Sequence, residues 1–216
     1  MKYAKPLPGY LAQRYHGWKA TAFKENEVWY RRLADDGQHP RAMIICCCDS
    51  RVEATQIFGA DPGEFFVHRN IANLIPPYEV GGQQHGTSST VEFAVKMLKV
   101  AHIVVMAHQH CGGAQGCIDM CEGNAPELES KDSFTGRWME MLRPRYEQVA
   151  DIDDPEQKAR EMEKQTVVVS LENLMTFPFV KEAVEQNGLS LHGLWINIGE
   201  GVLEGYDPAT GRFAPV

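Results

Sequence analysis

Two segments of the chain carry residues that can bind a metal ion and activate water. The first is Cys46-Cys47-Cys48-Asp49-Ser50-Arg51, and the second is His108-Gln109-His110-Cys111-Gly112-Gly113. A histidine and a cysteine three residues apart can bind one ion from a turn. A further thiolate from the other segment completes a Cys2His set that leaves a fourth position open, as in catalytic zinc sites. Because sulfur and imidazole ligands favour zinc over magnesium or calcium, the two segments predict a catalytic zinc site.

Strand geometry separates the three consecutive cysteines. In an extended strand, Cys46 and Cys48 project to one side and Cys47 to the other, so they cannot readily share a role. Asp49 and Arg51 follow Cys47 in steps of two residues and fall on its side. The pattern Cys-x-Asp-x-Arg is interpreted as a thiolate ligand, a carboxylate, and a guanidinium that can hold the carboxylate through two parallel hydrogen bonds.

The remaining cysteines have a simpler interpretation. Buried free cysteines commonly serve as small apolar residues, and this is the interpretation of Cys46, Cys48, Cys117 and Cys121. His110 is undecided, because it lies inside the second segment, whereas one side of a tight turn usually serves only one of two alternate residues.

Short apolar runs predict the strands that position these segments. Residues 42–48 follow Pro40 as a continuous apolar run, which is typical of a strand buried on both faces of a parallel sheet. Residues 64–68 and 102–107 are the next two runs, and residues 89–100 show helical apolar spacing. Functional sites of parallel α/β sheets form at the carboxyl ends of strands, and both segments follow such an end.

Further elements are predicted in the second half of the chain. The charges of residues 156–164 are interpreted as the solvated face of a helix. Residues 166–176 favour a helix over a strand, and residues 179–186 predict another helix. Residues 189–198 and 202–207, with a glycine-rich connection, predict a β-hairpin at a sheet edge.

The predicted fold class is α/β, with a central, mostly parallel β-sheet flanked by helices. Residues 10–35 indicate one or two amphipathic helices. Residues 1–35 are therefore expected to form an N-terminal helical arm, and residues 36–216 a single α/β zinc-binding catalytic domain.

Charge and composition exclude several classes of partner. The 216 residues include 21 Lys and Arg against 29 Asp and Glu, a net charge of −8, so no broad basic field is available for nucleic acid. The apolar runs are far shorter than the ~20 residues of a membrane-spanning helix. No secretory signal is visible, and six cysteines are too few for a disulfide scaffold. A cytoplasmic protein with neither nucleic-acid nor membrane partners is expected.

Taken together, these residues resemble the β-class carbonic anhydrases. The resemblance rests on Cys47-x-Asp49-Ser50-Arg51 followed by His108-x-x-Cys111-Gly112-Gly113, and it covers roughly residues 36–207. Further matching motifs are Pro62-Gly63-Glu64, Val67-x-Arg69-Asn70-x-Ala72-Asn73, Gly86-Thr87, Ser170-Leu171-Glu172-Asn173-Leu174 and Phe177-Pro178.

The resemblance implies a ligand set and a catalytic pair. Zinc would be held by Cys47, His108 and Cys111, and Asp49 with Arg51 would form a dyad beside the open metal position. The implied reaction is the reversible hydration of carbon dioxide to bicarbonate and a proton, a lyase reaction, by attack of zinc hydroxide that the dyad orients.

The resemblance also implies substrate contacts. Gln38 would lie over the substrate pocket, Phe66 and Phe93 would line it, and the Gly112 backbone N–H would complete the site. Ile44 stands where another branch of the family has tryptophan, so the plant-like, non-allosteric branch is implied. Homodimers, or oligomers built from them, are expected.

Two alternatives remain open on the sequence alone. The same zinc chemistry could act on a related linear substrate, carbonyl sulfide or carbon disulfide. In a different class, the cysteine triplet could belong to a non-enzymatic zinc or thiol redox protein, in which Cys48 or His110 would close the fourth metal position.

Overall fold

The chain divides into an N-terminal helical unit and a larger α/β unit. A computed structural model describes residues 3–82 and 85–216, so residues 1 and 2 of the predicted arm lie outside it. One compact unit ends at His39, and the other is Pro40–Val216. The first unit contains helices α1 (Gly9–Ala20), α2 (Ala22–Glu25) and α3 (Glu27–Asp36).

Aromatic side chains connect the helices of the N-terminal unit. The Phe23 ring lies 5.2 Å from Trp18 and 5.3 Å from Tyr30, measured between ring centroids. Two breaks, at Thr21 and Asn26, produce three helices where one or two were predicted. Helix α3 is followed by Gly37, whose φ of 76° is favourable only for glycine.

The described part of the α/β unit contains one six-stranded sheet in the order β2-β1-β3-β4-β5-β6. Its strands are β1 (Ala42–Cys47), β2 (Phe65–Asn70), β3 (His102–His108), β4 (Ser190–Asn197), β5 (Val202–Asp207) and β6 (Arg212–Pro215). Strands β1 to β4 are parallel, and β5 and β6 are antiparallel to their neighbours. The predicted α/β class with a mostly parallel sheet is confirmed.

Strand β1 occupies the centre of the parallel part, between β2 and β3. All six of its residues are buried, as the continuous apolar run predicts for a strand covered on both faces. In the register, Cys46 lies opposite Met106 of β3. The carboxyl ends of β1 and β3 therefore lie side by side.

Helices cover the parallel strands, and their bounds are α4 (Ala54–Ile57), α5 (His85–Glu92), α6 (Gly112–Cys121), α7 (Phe134–Met139), α8 (Pro155–Leu174) and α9 (Pro178–Gln186). Residues 166–176 belong largely to α8, so the preference for helix is confirmed. The Asp154 carboxylate caps α8 by accepting the Gln157 N–H at 2.7 Å. In the described residues, no helix is long and apolar enough to span a bilayer.

The helix predicted over residues 89–100 forms in two parts. Helix α5 continues into π-helical turns over Phe93–Leu98. The chain then leaves through Lys99, whose φ is 52°, and the Val100 N–H donates to the Ala94 carbonyl at 3.2 Å. A left-handed residue of this kind is a common way to end a helix.

The predicted hairpin forms from β4 and β5, but it continues into a third antiparallel strand. Strand β6 pairs with β5 and lies at the edge of the sheet. The sequence does not predict β6, because its four residues include Pro215 and show little apolar alternation.

Gly193 of β4 allows α8 to pack closely on the sheet. A Cβ atom at this position would lie 2.5 Å from Val167 Cγ1 and 3.0 Å from Leu171 Cδ1. Because Val167 is fully buried and β-branched, its side chain has little freedom to move. We expect Gly193→Ala to lower the free energy of unfolding in urea by about 1–3 kcal/mol.

The matched control is Gly205→Ala on the neighbouring strand. Its Cβ would make an ordinary contact at 3.5 Å with Val216. Equal stability of the two variants would show that the close packing of α8 at Gly193 does not exclude a larger side chain at this position.

Candidate metal centre

Three buried side chains meet where β1 and β3 end and α6 begins. Cys47 is the last residue of β1, His108 is the last residue of β3, and Cys111 directly precedes α6. Their ligand atoms all lie within 4.8 Å of one another. Their exposed fractions are 5%, 0% and 2%. The structure thus brings together the three residues that the sequence predicts as metal ligands.

The His108 ring has a nitrogen available for a metal ion. Its Nδ1 lies 2.9 Å from the Gln109 carbonyl oxygen, so the ring N–H is placed there and Nε2 carries the lone pair. Among the described residues, Nε2 is buried and has no hydrogen-bond partner. A buried polar atom without a partner is costly, and an ion between this nitrogen and the two thiols would satisfy it.

The two thiols influence each other's ionisation. Contact with Cys111 is the largest cause that lowers the pKa of Cys47, and contact with Cys47 is the largest cause that raises the pKa of Cys111. The Ala72 N–H also donates to Cys47 Sγ at 3.4 Å. One thiolate is therefore stabilised within the protein, while a second requires positive charge nearby. A soft divalent cation fits this donor set.

The turn after β2 approaches the cluster closely. Ala72 and Asn73 both adopt left-handed backbone conformations, with φ of 58° and 47°, and this turn directs the Ala72 N–H to the Cys47 sulfur. A Cβ atom on Gly113 would lie 2.9 Å from Ala72 Cβ and 2.9 Å from Ile71 Cγ2. A glycine at position 113 therefore permits the contact between the two loops.

Asp49 and Arg51 form a bidentate pair next to the cluster. Arg51 Nε donates to Asp49 Oδ1 at 2.9 Å, and Nη2 donates to Oδ2 at 2.6 Å. This guanidinium holds the pKa of the Asp49 carboxyl well below its usual range. The Asp49 Oδ2 atom lies 3.9 Å from His108 Nε2. Arg51 Nη2 also donates to the His110 carbonyl at 3.0 Å, so the pair connects the two segments.

The other two cysteines of the triplet lie apart from the cluster. Cys46 packs in the apolar core on the opposite face of β1, and Cys48 is exposed. Burial raises the pKa of Cys46 to about 11, so this thiol stays neutral. The pleated strand separates Cys46 from Cys47 as predicted.

Arg69 supports the segment after β1, a role that the sequence analysis did not assign. Its guanidinium donates to the carbonyls of Cys47, Asp49 and Val52 at 3.0, 2.7 and 2.7 Å, and to the Glu53 carboxylate at 2.8 Å. Four hydrogen bonds from one side chain hold the loop that carries Asp49. An arginine directly after the predicted strand of residues 64–68 was the available signal, because arginines are rarely buried unless paired.

Glu163 supports the other segment and was also missed. Its carboxylate accepts the Cys111 backbone N–H at 3.1 Å and the Trp195 Nε1–H at 2.9 Å. Only 2% of Glu163 is exposed, so interpreting the charges of residues 156–164 as a solvated face is wrong at this position. Burial is the largest cause that raises its pKa. The sequence signal was a helical spacing that places Glu163 on the same side of α8 as Val167 and Ser170.

Two of the predicted substrate residues, Phe66 and Phe93, lie away from the metal ligands of the same chain. Phe66 and Phe93 stack with ring centroids 5.8 Å apart. Phe66 pairs with Met43, four residues before Cys47 and hence about 13 Å away along the strand. The structure therefore brings the two rings together but does not place them beside the metal ligands of the same chain.

Gly112 and Gln38 occupy different units. Gly112 is the first residue of α6, where backbone N–H groups lack partners within the helix. Gln38 is exposed after α3 in the N-terminal unit. The substrate roles of both residues stay predictions.

The chain is similar to known carbonic anhydrases. A family model described as carbonic anhydrase matches residues 42–203. Beta carbonic anhydrase 5, chloroplastic, of Arabidopsis thaliana is 35% identical over 190 residues, which are 87% of this chain. The matched region spans 60% of that relative's length.

Two solved structures are also similar to this chain. The β-carbonic anhydrase CcaA is 28% identical with a TM-score of 0.87, and the match covers 96% of this chain and 91% of that one. A tetrameric β-carbonic anhydrase from the ascomycete Sordaria macrospora is 30% identical with a TM-score of 0.75, covering 91% of this chain and 94% of that one.

Replacing Glu163 tests its support of the cluster. In Glu163→Gln, one oxygen becomes an NH2 group, so either the Cys111 or the Trp195 donor loses its acceptor. We expect the free energy of unfolding in urea to fall by about 1–3 kcal/mol. Glu161→Gln on the same helix is the control, because its carboxylate lies in a partly exposed ion pair of 3.8 Å with Lys164. Equal stability of the two variants would exclude a supporting role for Glu163.

Proposed function

Because this chain belongs to the β-class carbonic anhydrases, a family of lyases, we propose that it catalyses the reversible hydration of carbon dioxide to bicarbonate and a proton. The proposed cofactor is one zinc ion held by Cys47, His108 and Cys111. The observation that carries the proposal is a buried cluster in which a His108 ring nitrogen and two cysteine sulfurs lie within 4.8 Å of one another, with Nε2 of that ring lacking a hydrogen-bond partner among the described residues.

The proposed ligands suit a catalytic zinc ion. Three protein ligands leave one position open for water, whereas structural zinc sites are closed by four. A bound zinc ion would lower the pKa of water at that position to about 7 and so supply a nucleophile near neutral pH.

Asp49 is proposed to orient the attacking water. Arg51 keeps the carboxylate ionised, so Asp49 can accept a hydrogen bond but has no proton to donate. Because its Oδ2 lies 3.9 Å from His108 Nε2, a molecule beside the ligands is within its reach. By accepting the hydrogen, Asp49 would turn an oxygen lone pair toward the carbon of carbon dioxide.

Two other residues, Gln38 and Gly112, are proposed to contact the substrate. The Gln38 amide would donate a hydrogen bond to an oxygen of the forming bicarbonate, and the Gly112 N–H would support it. Ile44 supports assignment to the plant-like branch, because tryptophan at this position marks the other branch.

We further propose a homo-oligomer located in the cytoplasm. The similarity to tetrameric β-carbonic anhydrases supports the first part. Six free cysteines in the described residues support a reducing compartment.

Removal of a proposed ligand should abolish zinc binding. We expect Cys47→Ser, His108→Ala and Cys111→Ser each to be purified without the approximately one zinc per chain of the parent, as measured by elemental analysis. The matched control is Cys48→Ser, which replaces an exposed thiol next to Cys47 and should retain zinc. Full zinc content in all three ligand variants would contradict the assignment.

Removal of the Asp49 charge should separate zinc binding from activity. We expect Asp49→Asn to retain zinc but to hydrate carbon dioxide at least about 100-fold more slowly, since loss of a positioned proton acceptor typically costs this much. Stopped-flow assays from neutral to alkaline pH measure the rate, with the exposed Asp151→Asn as control. A variant as fast as the parent would remove Asp49 from the mechanism.

The parent protein itself tests the overall proposal. Hydration of carbon dioxide should be measured on samples of known zinc content. A zinc-loaded chain that is inactive over the whole pH range would refute the proposed reaction.

A further inference from the structure

Two histidines and a serine form a second cluster at the amino-terminal ends of β3 and β4. His102 is the first residue of β3, and Ser190 is the first residue of β4. His108, at the other end of β3, is about 20 Å from His102 at the usual rise of an extended strand. The second cluster is therefore remote from the candidate metal centre.

Strand register places these side chains on one face of the sheet. His102 lies directly opposite Ser190 on the neighbouring parallel strand, and cross-strand partners share a face. His192 follows Ser190 by two residues, so it returns to the same face. The parallel pairing of β3 with β4 thus directs all three side chains to one side.

The two imidazole rings converge on a single point. His102 Nδ1 lies 2.7 Å from Ser190 Oγ, and His192 Nε2 lies 2.8 Å from the same oxygen. The ring centroids are 5.6 Å apart, with an angle of 62° between the planes. One hydroxyl hydrogen can be donated to only one of the two nitrogens, so the other ring must donate its own N–H. If both rings present an acceptor nitrogen, the Ser190 hydroxyl can donate a hydrogen bond to only one of them.

We propose that His102 and His192 together bind a divalent transition-metal ion of the class Zn2+, Ni2+ or Cu2+, with the ion taking the place of the Ser190 hydroxyl. Imidazole nitrogens are preferred ligands of these ions. His192 is exposed, so water can complete the coordination. The ion would connect β3 and β4 at their amino-terminal ends, opposite the end that carries the candidate metal centre.

The ionisation of His192 is compatible with this site. Partial burial and the neighbouring His102 lower the pKa of His192. The ring is therefore neutral at neutral pH, which is the form that binds metals.

Nickel titration of the zinc-loaded chain tests the proposal. Ni2+ is a suitable probe because it binds imidazole and does not oxidise the exposed Cys48 thiol. Isothermal titration calorimetry on protein without a histidine tag should detect one Ni2+ per chain at this cluster, with the zinc content unchanged. Bound Ni2+ should also raise the melting temperature, because it binds the folded state.

Three variants separate this site from other binding. His192→Asn should lose the nickel ion, and Ser190→Ala should keep it because both rings remain. His16→Asn removes an exposed histidine of the N-terminal unit and should leave nickel binding unchanged. The proposal is overturned if the parent binds no Ni2+ beyond the metal centre, or if His192→Asn binds it as the parent does. Carbon dioxide hydration by His192→Asn should equal that of the parent, so this test is independent of the proposed reaction.

Discussion

The parallel pairing of β1 with β3 is the constraint on which the metal centre depends. Parallel neighbours end at the same edge of a sheet, so Cys47 and His108 become adjacent although 60 residues separate them in the chain. Cys111 follows on the turn into α6. Strand β1 is buried and β3 is largely buried, and the two strands pair with each other, so the sheet fixes the positions of Cys47 and His108. The sheet therefore positions two of the three ligands, and the turn into α6 positions the third.

Charge balance explains the residues around the cluster. The Cys47 thiolate and the Asp49 carboxylate place negative charge close together, and Arg51 is paired with the carboxylate. Contact with Cys47 is the largest cause that raises the pKa of Cys111, and burial raises it further, so this thiol resists ionisation. A divalent cation would supply the missing charge. Arg69 and Glu163 act on the backbone instead, because their hydrogen bonds hold the two segments that carry Asp49 and Cys111.

The same sheet presents polar side chains at both ends of β3. At the carboxyl end, His108 is fully buried, and its Nδ1 is committed to the Gln109 carbonyl. At the amino end, His102 and the exposed His192 both contact the Ser190 hydroxyl. Both arrangements arise from parallel strands in register. They differ in access to water, and this difference suits a catalytic ion at one end and an exchangeable ion at the other.

Local patterns in the sequence determined the strand and helix types and the separation of Cys46 from Cys47, because burial and pleating follow from apolar runs and alternation. The resemblance to a known family supplied the ligand set. Only the tertiary structure decided the partners of Glu163 and Arg69, since their hydrogen bonds join elements that are distant in the chain. It also decided the short edge strand β6 and the meeting of His102, Ser190 and His192, because both depend on strand order and register. Residue spacing carries information about neighbours along the chain, whereas contacts between strands exist only after folding.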